Sequence, residues 1–100
     1  MPQEPFDLLE SVHDEESFLD FLSALAADRA DSIAKEKVRR SSPYGPEAND
    51  WENISIDAYL DAAVAWARAS SKGLPLADYV PSPNPWRRCA EILYAGRIYE

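Results

Sequence analysis

Metal-capable side chains lie together near the N-terminus, at His13, Asp14, Glu15 and Glu16. Imidazole and carboxylate groups are common metal ligands. Consecutive helical residues, however, point about 100° apart and do not converge on one ion. The same residues are typical of a helix start, where Asp14 accepts amide hydrogen bonds and the acids that follow interact favourably with the helix dipole. We therefore predict a helix start and no metal site.

Two other groups of residues suggest catalysis, but both signals are weak. Cys89 and His13 are the only thiol and imidazole of the chain, and no third group orients them as a motif. Asp57 and Asp61 share a helical face at i, i+4 without a histidine or an apolar wall beside them. Three glycines are too few for a phosphate-binding loop. We predict that the chain is not an enzyme and binds no cofactor, and that Cys89 fills an inner helix face.

Aromatic and polar side chains together form the most informative feature: Trp51, Glu52 and Asn53, followed by Trp66 and Trp86. Each buried Trp removes about 150–250 Å² from water, which is a large contribution to a small core. We predict core positions for Trp66 and Trp86. For Trp51 two interpretations remain open, namely packing at the start of the next helix or exposure as an interface anchor beside Glu52.

The net charge of −8 resides in the N-terminal quarter of the chain. Residues 1–28 carry eight acids and no Lys or Arg, whereas residues 29–40 carry five bases against two acids. This acidity repels phosphate backbones and favours a basic protein partner, so we predict protein binding and no nucleic acid. The predicted contact residues combine the acidic segment with the aromatic motif: Asp14, Glu16, Asp20, Trp51, Glu52 and Asn53.

Composition also bears on the cellular compartment. A single Cys closes no internal disulfide, which is typical of proteins in a reducing cytoplasm. The N-terminus lacks a basic start with an apolar stretch, and no segment approaches the roughly 18 apolar residues of a membrane span. We therefore predict a cytoplasmic protein without a membrane partner.

The sequence predicts a first main helix from Asp14, its N-cap, toward Arg40. Apolar residues recur at i, i+4 and i+7 from Phe18, which places one apolar face inward. Proline and glycine over residues 41–50 then make a long loop. The leader over residues 1–13 contains apolar residues for a short helical turn that packs inward: Phe6, Leu8, Leu9 and Val12.

Two further main helices follow the loop. Ser55 is the predicted N-cap of the second, and Lys72–Gly73 has the chemistry of a helix C-terminus. The pair Asn84–Pro85 begins the third, which we expect to reach the C-terminus, and Gly96 within it predicts a close helix crossing. No segment alternates with period two. The predicted fold is all-α: one domain over residues 1–100, a compact bundle of three main helices with a short N-terminal helical turn.

The residues from Trp51 to Trp66 resemble a family of small, acidic bacterial proteins of unknown function. The shared pattern is Trp51-Glu52-Asn53 ahead of the second helix. Residues 29–50 depart from shorter members and are predicted to be an insertion. The resemblance implies no established activity, although small size and acidity are similar to those of bacterial immunity proteins and other inhibitors. Positions that resemble the family elsewhere include Asp14, Phe18, Phe21, Leu22, Asn84, Trp86, Leu93 and Tyr99.

Two functions are compatible with the sequence. The leading hypothesis is a non-enzymatic interaction module, of inhibitor or immunity type, that binds a basic protein through the acidic N-terminal residues and the Trp51 region. The alternative is a regulatory domain that binds a small molecule in an aromatic-lined pocket between helices, near Trp51, Trp66 and Tyr94. If the third helix exposes part of its apolar face, a homodimer would cover that face.

Overall fold

The residues that the structure describes are folded into helices without strands. The computed structural model describes residues 4–40, 42, 45–71 and 79–99. Its elements are α1 (Pro5–Leu9), α2 (Glu15–Val38), a 3₁₀ turn (Ala48–Asp50), α3 (Ile56–Ser71) and α4 (Pro85–Ala95). The all-α prediction is confirmed, with three main helices, a short N-terminal helix and a long connection before the second main helix.

The three main helices begin at the predicted capping residues. The Asp14 carboxylate accepts a hydrogen bond of 2.9 Å from the Ser17 amide, and the Ser17 hydroxyl donates to the same carboxylate at 2.6 Å. The Ser17 hydroxyl and amide hold the pKa of Asp14 below its usual range. The side chains of Ser55 and Asn84 likewise accept hydrogen bonds from amides in the first turns of α3 and α4.

The C-terminal end of α4 differs from the prediction. The last helical residue is Ala95, and the chain turns at Gly96 instead of continuing as a helix. The carbonyl groups of this turn accept hydrogen bonds from the Asn53 side chain and from backbone amides ahead of α3. These hydrogen bonds attach the turn after α4 to the loop ahead of α3. The predicted helix ending at Lys72–Gly73 lies outside the described residues.

α4 is the central helix of the bundle. It packs against α1, α2 and α3, whereas no pair of Cα atoms from α2 and α3 comes within 8 Å. The core lies among α1, α2, α4 and the loop ahead of α3. Its buried apolar members are Leu9, Val12, Phe21, Leu25, Trp51 and Ala90.

α3 crosses α4 closely at Gly96, as the sequence predicts. A Cβ atom at Gly96 would lie 3.0 Å from the Ala63 Cβ and 3.1 Å from the Tyr59 carbonyl oxygen. Small side chains allow this approach, since Ala62 and Ala63 are the buried apolar residues of α3. The centre of the crossing has no room for a tryptophan ring.

The tryptophans therefore occupy other positions than predicted. Trp66 is only half-buried at the edge of the α3–α4 interface, with its ring centroid 4.9 Å from that of Tyr79. Trp86 lies in the first turn of α4 and is 36% exposed. The core tryptophan is Trp51, which is 5% exposed. The prediction of core positions for Trp66 and Trp86 is wrong. Small residues fill the close crossing next to Trp66, and Trp86 packs at the opposite end of α4, with its ring centroid 5.7 Å from that of Phe18.

Two smaller predictions are also wrong. Cys89 is exposed instead of filling an inner face, because α2 and α3 do not meet over the part of α4 that carries it. Phe6 is 55% exposed, although Leu9 and Val12 pack inward as expected. The Phe6 ring lies at the edge of the bundle, with its centroid 5.9 Å from that of Tyr94.

Substitution of Gly96 tests the close crossing. We expect Gly96→Ala to lower the free energy of unfolding by about 1–3 kcal/mol, because the added methyl group overpacks the interface. Urea denaturation followed by circular dichroism measures this change. Gly45→Ala is the matched control, because nothing lies within 4 Å of a Cβ atom there and its effect should stay within about 0.5 kcal/mol. Equal effects of the two substitutions would contradict the crossing.

Candidate functional site

Trp51 is buried between α2 and α3. Its indole N–H donates a hydrogen bond of 2.8 Å to the Asp28 carboxylate, and its ring centroid lies 5.7 Å from that of Tyr59. A residue that is 5% exposed offers a partner almost no surface. The interpretation of Trp51 as an exposed interface anchor is therefore wrong, because the indole finds its hydrogen-bond acceptor inside the fold.

Two arginines lie over the Trp51 ring. The guanidinium carbons of Arg29 and Arg97 are 5.5 Å and 5.8 Å from its centroid, within the range of cation–π attraction. Arg97 is 7% exposed and also lies 4.0 Å from the ring centroid of Tyr94. Its guanidinium group donates hydrogen bonds to the backbone carbonyls of Tyr94 and Asn49. The tryptophan thus connects α2 to the turn that follows α4.

The other two residues of the motif bind the same turn through polar groups. The Asn53 side-chain amide donates hydrogen bonds of 2.9 Å to the carbonyl oxygens of Gly96 and Tyr99. The backbone amides of Glu52 and Asn53 both donate to the carbonyl oxygen of Arg97. The Glu52 side chain takes no part and is exposed. The Trp-Glu-Asn segment therefore fastens the loop ahead of α3 to the end of α4.

The loop before the motif is fastened to α2. Asn49 has a φ of 61°, a left-handed conformation that Asn tolerates better than most residues. Its side-chain amide donates to the Asp28 carbonyl oxygen at 3.1 Å and to the Asp31 carboxylate at 3.0 Å. The buried Ser32 hydroxyl donates to the Ala48 carbonyl oxygen at 2.6 Å. These contacts hold the chain in place just before it enters the core at Trp51.

Sequence reasoning missed Asp28, Ser32 and Arg97 as members of this site. The sequence contains a signal for Asp28 and Ser32, because they lie seven and eleven positions after Phe21 and so continue the inward face of α2. Polar residues on a stripe that faces the core need hydrogen-bond partners within the fold. Arg97 lies just beyond a helix end, where nothing in the neighbouring sequence indicates burial.

The six predicted contact residues fall into two separate groups. The motif residues lie beside Asp28, whereas the other group lies in the first part of α2, about 12–21 Å away along the helix axis. The carboxylates of this second group are exposed: Asp14, Glu16 and Asp20. Asp14 lies 3.5 Å from the His13 imidazole, and Glu16 and Asp20 have no ion pair with any described residue. The six residues therefore do not form one surface.

An apolar cleft of about 320 Å³ opens between α2 and α3 beside Trp51. Its lining includes Leu22 on α2, Ile56 and Tyr59 on α3 and Leu93 on α4. The Tyr59 hydroxyl donates a hydrogen bond of 2.6 Å to the Leu93 carbonyl oxygen. Burial raises the pKa of Tyr59 to about 12, so its phenol in the cleft wall stays uncharged well above neutral pH.

The three aromatic residues predicted to line one pocket are not brought together. Trp51 lines the α2–α3 cleft, whereas Tyr94 lines a separate cleft of about 140 Å³. Trp66 instead packs against Tyr79, with the guanidinium carbon of Arg88 5.1 Å from its ring centroid. Of the predicted trio, only Trp51 contributes to the larger apolar cleft.

Two further features concern the described part of the chain only. Among the described residues, no three His, Cys, Asp or Glu side chains lie together in a way that could hold a metal ion. None of its helices has both the length and the apolar character needed to cross a bilayer.

The fold and the site define a small all-α domain in which a Trp-Glu-Asn segment joins a loop to the end of the central helix. Residues 14–100 match the family of unknown function DUF7660, so the chain belongs to this family. The match begins at the N-cap of α2 and includes the whole Trp51 site. No curated protein and no solved structure matches the chain. The predicted membership of a family of unknown function is confirmed, while the bacterial origin and the insertion over residues 29–50 stay predictions.

Replacement of Asn53 tests the role of the motif. We expect Asn53→Ala to lower the free energy of unfolding by about 1–3 kcal/mol, because the carbonyls of Gly96 and Tyr99 lose their shared donor. Hydrogen exchange at the Glu52 and Asn53 amides should also accelerate. Chemical denaturation and exchange measured by NMR report the two effects. Glu52→Ala, which truncates the exposed neighbour, is the control, and an equal loss of stability in both variants would contradict the assignment.

Proposed function

We propose that the chain is a non-enzymatic protein-interaction module that binds a basic partner through its acidic N-terminal surface. This surface consists of the exposed carboxylates of residues 4–20: Glu4, Asp7, Glu10, Asp14, Glu15, Glu16 and Asp20. The observation that carries the proposal is how little these charges are compensated. Among the described residues only Asp14 has a partner within ion-pair distance, and Lys35 interacts with Glu4 at longer range. A basic partner relieves the mutual repulsion of such a group.

Two of the three basic residues of α2 pair with acids outside the acidic surface, which supports the proposal. Lys35 pairs with Asp31 at 2.9 Å, and Arg29 pairs with Glu47 at 3.0 Å. The acidic surface thus keeps its charge for an external partner. Exposed charges of one sign accelerate association with an oppositely charged protein, and dissolved salt screens the attraction.

The motif contributes to this function by stabilising the fold. Trp51 faces the interior and Asn53 faces the C-terminal turn, so partner contacts come from residues outside the motif. The Glu52 side chain is exposed and has no hydrogen-bond or ion-pair partner among the described residues. More specifically, we propose an inhibitor or immunity-type protein of the bacterial cytoplasm that covers a basic functional surface on its partner. Small size and acidity support this more specific proposal.

A small-molecule-binding regulatory domain is the second candidate. The observation that favours it is the apolar cleft of about 320 Å³ beside Trp51. This volume lies at the lower end of the roughly 300–1,000 Å³ that is typical of ligand pockets. Leu22, Ile56 and the Tyr59 ring would then supply the apolar contacts to the ligand.

Charge neutralisation tests the leading proposal. Affinity capture from the source organism at low salt should recover a basic protein, and Glu16→Gln combined with Asp20→Asn should weaken its binding about five-fold, since each exposed ion pair contributes roughly 0.5 kcal/mol. Calorimetric titration of the purified pair at low and high salt measures the affinity. The double variant Asp50→Asn with Glu52→Gln is the control and should bind normally.

Two results count against the interaction proposal. The first is a capture that yields no stoichiometric basic protein at low salt. The second is a partner whose affinity responds to neither salt nor the acidic-surface variant. A blank capture together with a metabolite that raises the melting temperature would favour the second candidate, because a ligand that binds only the folded state stabilises it.

A further inference from the structure

An open apolar groove separates α2 from α3. Both helices pack on α4, yet no pair of their Cα atoms comes within 8 Å, so neither helix covers the face of α4 between them. Leu22, Ile56 and Leu93, one from each helix, line the same cleft of about 320 Å³. We call the surface that extends this cleft along the three helices the α2–α3 groove.

The helical period extends the groove beyond the cleft. Leu19 lies one turn before Leu22 on the same face of α2, and Leu60 lies one turn after Ile56 on α3. These side chains are exposed to solvent: Leu19 by 52%, Ile56 by 80% and Leu60 by 50%. Cys89, which is also exposed, lies one turn before Leu93 on α4, so the helical period continues the floor from Leu93 to Cys89.

The shape and surface of the groove fit a helix. Two parallel rows of apolar side chains at i, i+3 or i+4 spacing, above an apolar floor, are the feature that binds the apolar face of an amphipathic helix. A contiguous apolar surface of this kind is typical of an interaction site, because single exposed apolar residues are normally scattered. The groove therefore adds an apolar recognition element beside the carboxylates of the acidic surface.

The charges beside the groove decide between possible occupants. On α2 the outer residues next to the apolar row are Glu16 and Asp20, and on α3 they are Asp57 and Asp61, all exposed. Arg29 also lines the cleft, but its charge is paired with Glu47. A second copy of this chain would bring the same acidic margins and another net charge of −8 against them. Like charges that face each other across an interface are unfavourable, whereas Lys and Arg on both sides of an apolar stripe would pair with these margins.

We infer that the α2–α3 groove binds an amphipathic α-helix of a partner protein, with an apolar stripe flanked by Lys and Arg. The inference rests on the proposed function for the sign of the partner's charge. It adds that the bound segment of the partner is an α-helix and that this helix docks between α2 and α3. The apolar stripe contacts the two leucine-containing walls, and the flanking cations face the carboxylates on α2 and α3.

Designed peptides test the inference on the full chain. The probe is a fluorescein-labelled amphipathic peptide of about 18 residues, or five helical turns, with Leu at helical spacing and Lys on both flanks. A scrambled peptide of identical composition keeps the charge and loses the apolar stripe. Fluorescence anisotropy at low salt measures both affinities. We expect the amphipathic peptide to bind at least about ten-fold more tightly than the scrambled one, because only it fills the apolar groove.

Protein variants and Cys89 locate the binding site. Leu60→Asp should weaken the amphipathic peptide at least about ten-fold, whereas Val80→Asp, at an apolar residue that is 79% exposed outside the groove, should leave its affinity unchanged. Both substitutions are at exposed positions, and circular dichroism verifies the fold. Bound peptide should also slow the reaction of the single Cys89 thiol with a disulfide reagent in proportion to occupancy.

Four results would overturn the inference. Equal binding of the scrambled peptide would show charge attraction without a groove, and it would leave the proposed function standing. Binding that is insensitive to Leu60→Asp, or absent for both peptides, would exclude the helix-docking role, while the capture experiment judges the proposed function separately. A dimer in sedimentation that dissociates in the Leu60→Asp variant would identify a second copy as the occupant.

Discussion

The burial of the Trp51 indole is the constraint on which the rest of the structure depends. A buried indole N–H needs an acceptor, and Asp28 supplies it from α2, 23 positions earlier in the chain. Tyr59 on α3 and the guanidinium groups of Arg29 and Arg97 lie against the same ring. One side chain therefore contacts α2, α3 and the turn after α4, and these contacts position two helices that do not otherwise meet.

The groove follows from the same arrangement. α3 approaches α4 closely at Gly96, and α2 packs against a different part of α4, so Trp51 bridges the two outer helices only at one end. Along the rest of their length the face of α4 with Cys89 stays open. The motif that resembles an interface anchor in the sequence is thus an internal support. The surfaces left for recognition are the carboxylates of residues 4–20 and the apolar groove beside them.

Much of the fold follows from the sequence because its determinants are local. The N-caps of the three main helices depend on residues within one turn, and the exposed acids of α2 follow from the helical period. The site does not follow, because its contacts are distant: Trp51 to Asp28 spans 23 positions and Asn53 to Tyr99 spans 46. No local pattern indicates which remote segments meet. Gly96 predicts that two helices approach closely. The sequence does not show that this approach leaves no room for large rings, because that depends on the tertiary packing.

Different residues therefore serve stability and recognition, and the Trp51–Asp28 hydrogen bond serves stability. A double-mutant cycle in urea unfolding tests this assignment most directly, with Trp51→Phe removing the indole N–H, Asp28→Ala removing its acceptor, and the double variant removing both. We predict a coupling free energy of about 1 kcal/mol or more, because Asp28→Ala leaves the buried indole N–H without its acceptor, and Trp51→Phe removes one of the two side-chain donors to the half-buried Asp28 carboxylate. Additive effects, with a coupling below about 0.3 kcal/mol, would contradict the central role of this hydrogen bond.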